Sequence, residues 1–319
     1  MTSTASARVG VDVGGTFTDL VLHDPVRNIV RTGKLLTTPD DPSEAILAGI
    51  ARVLREADLK PGDVHSVIHG TTLVTNTIIE RTGATVGLLT TDGFRDSIEI
   101  GRETRYDLYD LFLETPTLLV PRALRLEIPE RIAADGRVLK PLDEAAVASA
   151  AKQLVEAEGA EAIAVGFLHS YHAPQHEKRA GEIIRGLYPA LPISLSAEVA
   201  PEIREYERTS TACANAYVQP LVARYLARLE QALEDAPVRA LRIMQSNGGV
   251  IDLRHAAAHA ARLVLSGPAG GAVGAFAAAA AAAADEGSGP PQILTFDMGG
   301  TSTDVCLCPE HIPTTGESV

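Results

Sequence analysis

The sequence contains one eight-residue pattern twice, and its residue types suit the binding of phosphate and a metal ion. The first copy runs from Asp12 to Asp19 and the second from Asp297 to Asp304, with Asp, Gly, Gly, Thr, Thr and Asp at the same six positions. A strand, a tight Gly-Gly-Thr turn and a returning strand expose backbone N–H groups and threonine hydroxyls together, which can hold phosphate oxygens. The first carboxylate of each copy then faces the same anion, which predicts a divalent cation between them.

Two such loops facing each other across a cleft would clamp a polyphosphate. A single Gly-Gly turn is equally well explained as a plain hairpin, but its repetition favours phosphate binding. Asp12 and Asp297 are the predicted metal ligands. The predicted phosphate-binding residues are Gly14, Gly15, Thr16 and Thr18 in the first copy and Gly299, Gly300, Thr301 and Thr303 in the second.

A second candidate is the segment His69-Gly70-Thr71-Thr72, which follows a predicted strand and precedes a predicted helix. Open α/β sheets bind ligands at this position. We therefore take His69 and Asn76, which lies one turn into the helix, as candidate catalytic residues together with Asp297. The structural alternatives are a helix cap at Thr71 or Thr72 and a satisfied core histidine at position 69.

Two further motifs carry less information by themselves. The segment Ser246-Asn247-Gly248-Gly249 has the composition of a turn. The second motif is a run of charged residues at turn or helical spacing, and most such runs form solvated ion pairs on a protein surface. The charged residues with that spacing are Arg95, Asp96, Glu99, Arg102 and Arg105.

The composition is that of an ordinary globular chain. It has 319 residues, 45% hydrophobic and 22% charged, which suits roughly two domains. The formal charge of −13 repels phosphate backbones and anionic lipids, so neither nucleic acid nor a membrane is an expected partner. The three cysteines are too few and too odd in number for a disulfide framework, which favours a reducing compartment and a cytoplasmic location.

One uncharged stretch, residues 264–284, has the length of a bilayer span. Its glycines, proline and alanines favour a soluble helix, because alanine is a strong helix former and a weak hydrophobe. Small residues also suit close helix crossing. A buried alanine helix without further function is one explanation of this stretch.

The order of apolar patterns predicts an α/β fold. Ser43 is the expected cap of the first helix, and Pro220 is expected to kink or end the last long one. The alternation of strand and helix patterns is interrupted over residues 94–142, which predicts an insertion. Hydrophobic periodicity predicts strands over 8–22 (a hairpin), 29–34, 64–68, 85–90, 162–167, 193–196, 241–245 and 293–297, and helices over 42–54, 74–81, 145–158, 176–187 and 205–233.

The two loops resemble the phosphate loops of the actin, sugar-kinase and heat-shock-chaperone ATPases, whose ribonuclease-H-like lobes each begin with such a hairpin. More narrowly, the chain from Arg8 onwards resembles the N-terminal part of the hydantoinase A and 5-oxoprolinase family. The motifs that carry this likeness include His69-Gly-Thr-Thr, Gly93-Phe-Arg-Asp96, Glu205-Tyr-Glu-Arg208, Gln245-Ser-Asn-Gly-Gly249 and Leu265-Ser-Gly-Pro-Ala-Gly-Gly271.

The resemblance implies an actin-like ATPase architecture, with the first lobe and only the first hairpin of the second lobe. Residues 8–204 would form the hydantoinase/oxoprolinase N-terminal-like domain with the first phosphate loop. Residues 205–319 would begin the second domain, with the hinge helix and the second phosphate loop. The helix over 266–284 is similar to the interlobe helix of that superfamily, so we prefer a hinge role over a phosphate-binding role for Gly267, Gly270, Gly271 and Gly274, with the buried alanine helix as an equal alternative. Family members continue well beyond that loop, so we expect activity to require a second polypeptide.

The resemblance also implies a function. It indicates an ATP- and Mg²⁺-dependent hydrolase that opens a small cyclic amide, of hydantoin or 5-oxoproline type, by passing phosphate to the lactam carbonyl oxygen. A subunit of an ATP-dependent ketone carboxylase is one alternative, and a nucleotide-driven chaperone or reactivating factor is another. A hydantoinase B-like partner subunit and an oligomeric assembly are expected.

Overall fold

The structure is a computed structural model that describes residues 6–38, 41–103, 107, 109–113, 116–234, 240–285, 287, 289–298 and 303–309. These residues form two compact units. Unit 1 comprises the residues up to Ile79 and those from Val222 onwards, and unit 2 comprises Glu80–Leu221.

The described strands are, in chain order, β1 Ala7–Val13, β2 Phe17–Asp24, β3 Ile29–Leu36, β4 Val64–Thr71, β5 Val86–Thr91, β6 Arg125–Ile128, β7 Arg131–Ile132, β8 Val138–Lys140, β9 Ala162–Gly166, β10 Ile193–Leu195, β11 Leu241–Met244, β12 Val250–Ile251, β13 Gln292–Met298 and β14 Thr303–Pro309. The described α-helices are α1 Pro42–Glu56, α2 Leu73–Ile79, α3 Ser97–Ile100, α4 Glu144–Lys152, α5 Gln175–Leu187, α6 Ser196–Val199, α7 Glu205–Glu234, α8 Leu253–Ala258 and α9 Ser266–Asp285. This alternation confirms the predicted α/β class.

Unit 1 contains a six-stranded sheet in the order β12-β11-β4-β1-β2-β3. Strands β1, β2 and β3 form an antiparallel meander, whereas β4 runs parallel to β1 and β11 runs parallel to β4. Side chains along β1 alternate between core and solvent, with Val9, Val11 and Val13 buried, as a strand with one covered face requires. The hairpin predicted for residues 8–22 is confirmed.

Helix α1 packs on β2 and β3. It approaches β2 closely at Gly49, where a Cβ atom would lie 2.4 Å from Leu20 Cδ1. The helix is capped by Asp41, whose carboxylate accepts a hydrogen bond from the Ser43 N–H. The expected cap Ser43 is therefore wrong by two positions, because Asp41 has the extended backbone of a cap and Ser43 already lies in the first turn.

Unit 2 is built on a four-stranded parallel sheet in the order β10-β9-β5-β6. The central strands β5 and β9 are buried along their whole length, which is typical of parallel sheets covered on both faces. The segment 94–142, predicted to be an insertion, supplies α3, β6 and the small hairpin β7–β8.

A buried polar network lies in the core of unit 2. Arg208 is fully buried and donates hydrogen bonds to the Phe167 carbonyl at 2.9 Å and to Ser196 Oγ at 3.1 Å. Ser196 Oγ in turn donates to Glu177 at 2.6 Å, and the N–H groups of Phe167 and Ala197 donate to the same carboxylate. Burial raises the pKa of Glu177, and these hydrogen bonds oppose the rise.

Helix α7 is continuous, with Pro220 inside it, so Pro220 does not end the helix. Its residues up to Leu221 belong to unit 2 and those from Val222 to unit 1. The compact units thus divide the chain differently from the sequence domains 8–204 and 205–319, because β11 and β12 join the sheet that begins with β1.

Strands β13 and β14 form a separate antiparallel pair in unit 1, and its register repeats that of the first hairpin. The hairpin packs against α9 and buries Cys308. The matched cross-strand pairs are Asp12 with Asp19 and Val13 with Thr18 in the first hairpin, and Asp297 with Asp304 and Met298 with Thr303 in the second. The structure therefore shows the repeat as two equivalent hairpins.

Helix α9 is the one helix in the described part of the chain that is long and apolar enough to cross a bilayer, judged by length and composition. Most of it is accessible to solvent, and only Ser266 and Ala272 are buried. Its first half packs on the unit 1 sheet, where Gly270 lies against Met244. The stretch is therefore a helix, as predicted, and its exposure contradicts the alternative of a buried alanine helix.

Candidate active site

The carboxyl ends of three strands meet at one edge of the unit 1 sheet, because β1, β4 and β11 run parallel. Asp12 lies next to the end of β1, Thr71 ends β4, and Gln245 follows β11. The start of α9 joins this edge, since Ser266 Oγ donates a 3.0 Å hydrogen bond to the Thr71 carbonyl. Open α/β sheets bind ligands at such an edge, which makes it the candidate active site.

The first Gly-Gly-Thr turn is held by a backbone hydrogen bond of its own and leaves two backbone N–H groups without a partner among the described residues. The Gly14 N–H donates to the Phe17 carbonyl at 2.9 Å. Thr37 fastens the turn by donating from Oγ1 to the Gly14 carbonyl at 2.9 Å and from its N–H to the Thr16 carbonyl at 3.0 Å. The N–H groups of Gly15 and Thr16 donate to no described residue, so they can serve phosphate oxygens.

Thr18 occupies a different environment from the other loop residues. Its side chain is fully buried, and its Oγ1 lies 3.0 Å from Thr37 Oγ1. The structure thus places Thr18 in the core behind the loop, where it supports Thr37, and not on the open face with Gly15 and Thr16.

The Asp12 carboxylate lies in a gap between two glycines from distant parts of the chain. A Cβ atom would lie 3.2 Å from Asp12 Oδ1 if built on Gly70 and 3.1 Å if built on Gly267. Although Asp12 remains accessible to solvent, the surrounding protein raises its pKa, the negative charges of Asp297 and Asp19 raise it further, and Lys34 opposes them. A cation beside Asp12 would relieve this repulsion.

Asp297 is the second predicted metal ligand, and the structure brings it into electrostatic range of Asp12. It lies near the end of β13, at the position that Asp12 holds in β1. Thr303 begins β14 and is exposed, unlike its counterpart Thr18. The predicted phosphate ligands Gly299, Gly300 and Thr301 lie outside the described residues.

His69 lies inside the unit 1 core and is fully buried. Its Nε2 is 2.7 Å from the Tyr225 hydroxyl, and its Nδ1 lies near the Val11 backbone without a hydrogen bond of regular geometry. Burial lowers the pKa of His69 to about 4, and the Val11 backbone opposes this. These surroundings favour the core-histidine alternative, and the catalytic role stays a prediction.

Asn76 lies beside the first loop, at the edge where its predicted role places it. A Cβ atom built on Gly15 would be 3.6 Å from Asn76 Nδ2, and the same nitrogen donates a long hydrogen bond of 3.4 Å to Thr72 Oγ1. Thr71 Oγ1 accepts a hydrogen bond from the Leu73 N–H at 3.1 Å. Thr71 thus satisfies one of the N–H groups at the start of α2 from one residue before the cap position, a structural role close to the helix-cap alternative.

The glycines of α9 fall into two groups. Gly267 lies against Asp12, and Gly270 lies against Met244, where a Cβ atom would be 3.4 Å from the methionine Cε. A Cβ atom built on Gly271 or Gly274 would have no neighbour within 4 Å among the described residues. Close crossing of helix and sheet therefore explains Gly267 and Gly270, whereas no described contact explains the other two.

Gln245 is a site residue that residue-by-residue reasoning did not single out. It is buried at the end of β11, and its Nε2 donor has no hydrogen-bond partner among the described residues. The motif Gln245-Ser-Asn-Gly-Gly249 carried the family likeness, and that was the one signal in the sequence. A buried free amide at this edge is available to a polar ligand.

The two carboxylates fit a magnesium ion in the mode that this ion usually adopts. No group of three or more His, Cys, Asp or Glu side chains in the described ranges is arranged to hold a metal. Mg²⁺ commonly keeps several waters and takes one or two carboxylates together with substrate phosphates. Asp12 and Asp297 would be those carboxylates, and the glycines flanking Asp12 leave it unobstructed.

Two family models match the chain along most of its length. The hydantoinase/oxoprolinase N-terminal region matches residues 8–188, and hydantoinase/oxoprolinase matches residues 208–316. The chain belongs to the hydantoinase/oxoprolinase family. The resemblance inferred from the ordered motifs is therefore confirmed.

This family member has relatives among cyclic amide hydrolases. It is 38% identical over 310 residues to caprolactamase subunit alpha of Pseudomonas jessenii, a match that covers 94% of this chain and 43% of the relative. It is 34% identical over 342 residues to 5-oxoprolinase of Saccharomyces cerevisiae, which covers 93% of this chain and 25% of the relative.

Solved structures of the same family share the fold. The nucleotide-free structure of acetone carboxylase, from work on ATP-dependent acetone carboxylation, matches with a TM-score of 0.82 and 28% identity over 94% of this chain and 43% of that one. The crystal structure of ATP-dependent caprolactamase from Pseudomonas jessenii matches with a TM-score of 0.81 and 38% identity over the same shares. The predicted actin-like architecture agrees with these neighbours, and the chain spans less than half the length of each relative.

Proposed function

We propose that this chain forms the ATP-binding part of an enzyme that opens a cyclic amide, of hydantoin or 5-oxoproline type. The observation that carries this proposal is the environment of Asp12. Its carboxylate lies between Gly70 and Gly267, is coupled electrostatically to Asp297, and belongs to the same hairpin as the open N–H groups of Gly15 and Thr16. Such a site suits a magnesium-bound polyphosphate.

The chemistry explains why ATP is needed. The amide carbonyl is a poor electrophile and its nitrogen a poor leaving group. Transfer of the γ-phosphoryl group to the carbonyl oxygen releases ADP and makes the carbonyl carbon open to attack by water. The ring C–N bond then breaks and the nitrogen takes a proton, which leaves an acyl phosphate. A second water cleaves the acyl phosphate and releases phosphate, so that ATP, the cyclic amide and two waters give ADP, phosphate and an open-chain product.

The residues at the sheet edge would have separate roles in binding ATP and the metal ion. The N–H groups of Gly15 and Thr16 would bind phosphate oxygens, and Asp12 and Asp297 would hold Mg²⁺, which supplies charge neutralisation during phosphoryl transfer. Asn76 would donate from its amide to a polar group at the first loop. Phosphoryl transfer depends mainly on such positioning and electrostatics, so these residues need no covalent role.

A ketone carboxylase subunit is the second candidate function. The observation that favours it is the fold match to acetone carboxylase, because phosphorylation of a ketone oxygen would require an ATP-binding site of the same kind. A carboxylase would consume ATP only with a ketone and bicarbonate, whereas the proposed hydrolase needs the cyclic amide alone.

A partner subunit completes the proposal. The caprolactamase relative is a subunit alpha, and we propose a hydantoinase B-like partner for this chain as well. The three cysteines are free thiols, which fits the cytoplasmic location we propose for the assembly.

The test is ATP turnover by the chain co-expressed with the polypeptide encoded beside it. ADP and an open-chain product should form together when 5-oxoproline or hydantoin is supplied. Asp12→Asn should lower the turnover number by about 100-fold, the scale for loss of a group that stabilises the transition state. Circular dichroism should be unchanged.

Asp19→Asn is the matched control, because it removes a carboxylate from the same hairpin. Asp19 is exposed and paired with Lys34 at 2.8 Å, so its loss should lower turnover much less than the loss of Asp12. Equal Mg·ATP affinity and equal turnover in wild type and Asp12→Asn would remove Asp12 from the site. ADP formation that requires bicarbonate and a ketone would replace the hydrolase with the carboxylase.

A further inference from the structure

A cavity of about 680 Å³ lies entirely within unit 2, apart from the candidate active site. Small-molecule sites generally have volumes of roughly 300–1,000 Å³, so its size suits a ligand. Its wall comes from three segments: the loop and turn around α3, the region of Arg122 and Glu127, and the start of α7. None of the residues assigned to phosphate or metal binding lies in it.

The charged groups that line this cavity are mostly paired with one another. Arg122 donates two hydrogen bonds of 2.9 Å to the Asp96 carboxylate. Arg102 donates to Glu207 at 2.7 Å, and Arg204 lies 3.6 Å from the same carboxylate. These pairs neutralise each other, so they do not demand an ionic ligand.

The two remaining carboxylates of the wall also have partners. Glu127 accepts a 2.9 Å hydrogen bond from the Gly93 N–H. Glu205 lies 3.8 Å from the buried guanidinium of Arg208. The cavity therefore presents no carboxylate that lacks a partner.

Arg95 is the exception among the lining cations. Its guanidinium forms no hydrogen bond or close ion pair with a described residue, although its charge helps to lower the pKa of the neighbouring Asp96, and its Nε is shielded from solvent without a hydrogen-bond partner. A shielded donor that stays unpaired is costly, and a charged one more so. Since every lining carboxylate already has another partner, a carboxylate that enters the cavity would supply the hydrogen-bond partner that Arg95 lacks among the described residues.

Apolar side chains complete the wall. Phe94, Ile100 and Tyr206 line the cavity, and Gly101 brings its backbone close to the Tyr206 ring, where a Cβ atom would be 3.6 Å from Cε2. Gly101 has a φ of +58°, a conformation that disfavours side chains. The turn thus holds an aromatic surface in the same cavity wall as Arg95.

We propose that this cavity binds a small monocarboxylate with a planar or cyclic apolar frame, and that Arg95 is its counter-ion. A guanidinium matches a carboxylate with two parallel hydrogen bonds, while Phe94, Ile100 and Tyr206 would cover the frame. A phosphate dianion fits less well, because its second charge would face Asp96 and Glu207 with no free cation to balance it. The proposal does not depend on nucleotide binding in unit 1.

The test uses benzoate as the probe, with benzamide and inorganic phosphate as comparison ligands, titrated into the folded 319-residue chain by calorimetry or ligand-observed NMR. Benzoate should bind saturably, and benzamide and phosphate should bind more weakly. Arg95→Gln should weaken benzoate binding about tenfold or more, which matches the loss of a charged hydrogen bond.

Arg137→Gln is the matched control, because Arg137 is exposed, is paired with Asp135 and does not line the cavity. It should leave benzoate affinity unchanged. Ile100→Trp supplies a second test that leaves Arg95 in place: Ile100 is 58% exposed on the cavity wall, so the larger side chain should block benzoate without unfolding the chain.

The proposal is overturned if the folded chain shows no saturable benzoate binding or if Arg95→Gln binds benzoate as well as wild type does. It is also overturned if phosphate binds more tightly than benzoate in an Arg95-dependent way, which would assign the cavity to phosphate. Asp12→Asn separates this site from the proposed ATP site: it should leave benzoate binding intact, whatever becomes of the nucleotide function.

Discussion

The burial of His69 predicts a specific dependence of stability on pH. Burial lowers the pKa of His69 in the folded protein from 6.5 to about 4. Below pH 6.5 the unfolded chain therefore binds a proton that the folded core rejects, so the free energy of unfolding falls as the pH falls from 6.5 to 4. Above about pH 7.5 both states hold a mostly neutral imidazole, and the contribution is nearly constant.

The size of the effect follows from the difference between the two pKa values. It corresponds to a loss of about 3 kcal/mol once the pH reaches 4, of which about 2 kcal/mol is already lost at pH 5. Native proteins have a free energy of unfolding of only about 5–15 kcal/mol, so this one residue should contribute measurably to unfolding in acid.

The assay is urea unfolding of wild type and His69→Gln at several pH values between 7.5 and 4. Glutamine keeps a polar partner for the Tyr225 hydroxyl, which is 2.7 Å from His69 Nε2, but does not titrate. The wild-type advantage over His69→Gln should shrink by about 3 kcal/mol across this range. His65→Gln is the matched control, because His65 lies on the exposed side of the same strand.

Parallel stability curves for wild type and His69→Gln from pH 7.5 to 4 would refute this account. They would mean that His69 reaches solvent in the folded state, which would restore its candidacy as a catalytic group. A converging pair of curves would instead place its role in the core.

Two further predictions concern packing. Arg208→Met should lower the free energy of unfolding by about 3 kcal/mol in urea titrations, because it breaks a buried charged network. Arg185→Met, on the exposed side of α5, is the control and should have little effect. The double variant Glu177→Gln with Arg208→Met should lose less stability than the sum of the two single losses, because both residues belong to one network. Phe296 is 61% exposed on an apolar face of the β13–β14 hairpin. Phe296→Glu should therefore reduce the self-association of the chain measured by light scattering. Ile203→Glu, at another exposed position, is the control, and an equal effect of this change would show that the hairpin face is not responsible.

The sequence alone determined the elements whose signals are local. Alternating apolar residues defined the strands, and the paired Asp and Gly-Gly-Thr positions defined two hairpins with the same register, because turn geometry and a period of two are set within a few residues. The ordered motifs likewise identified the family, since each is a short string that can be read without knowing its neighbours in space.

Other features depended on contacts between distant residues, which only the tertiary structure decided. Gly70 and Gly267 flank Asp12, although nothing in the spacing of the sequence brings the three together. His69 and Thr18 looked like site residues by position, yet both are fully buried. The order of the strands and the elements packed on the sheet decide which side chains at its edge reach solvent, and neither can be read from local sequence. Arg95 resembled its neighbours in a charged run, and it differs because Arg102 and Arg122 have partners on separate segments and Arg204 pairs with Glu207, whereas Arg95 has no such pair among the described residues.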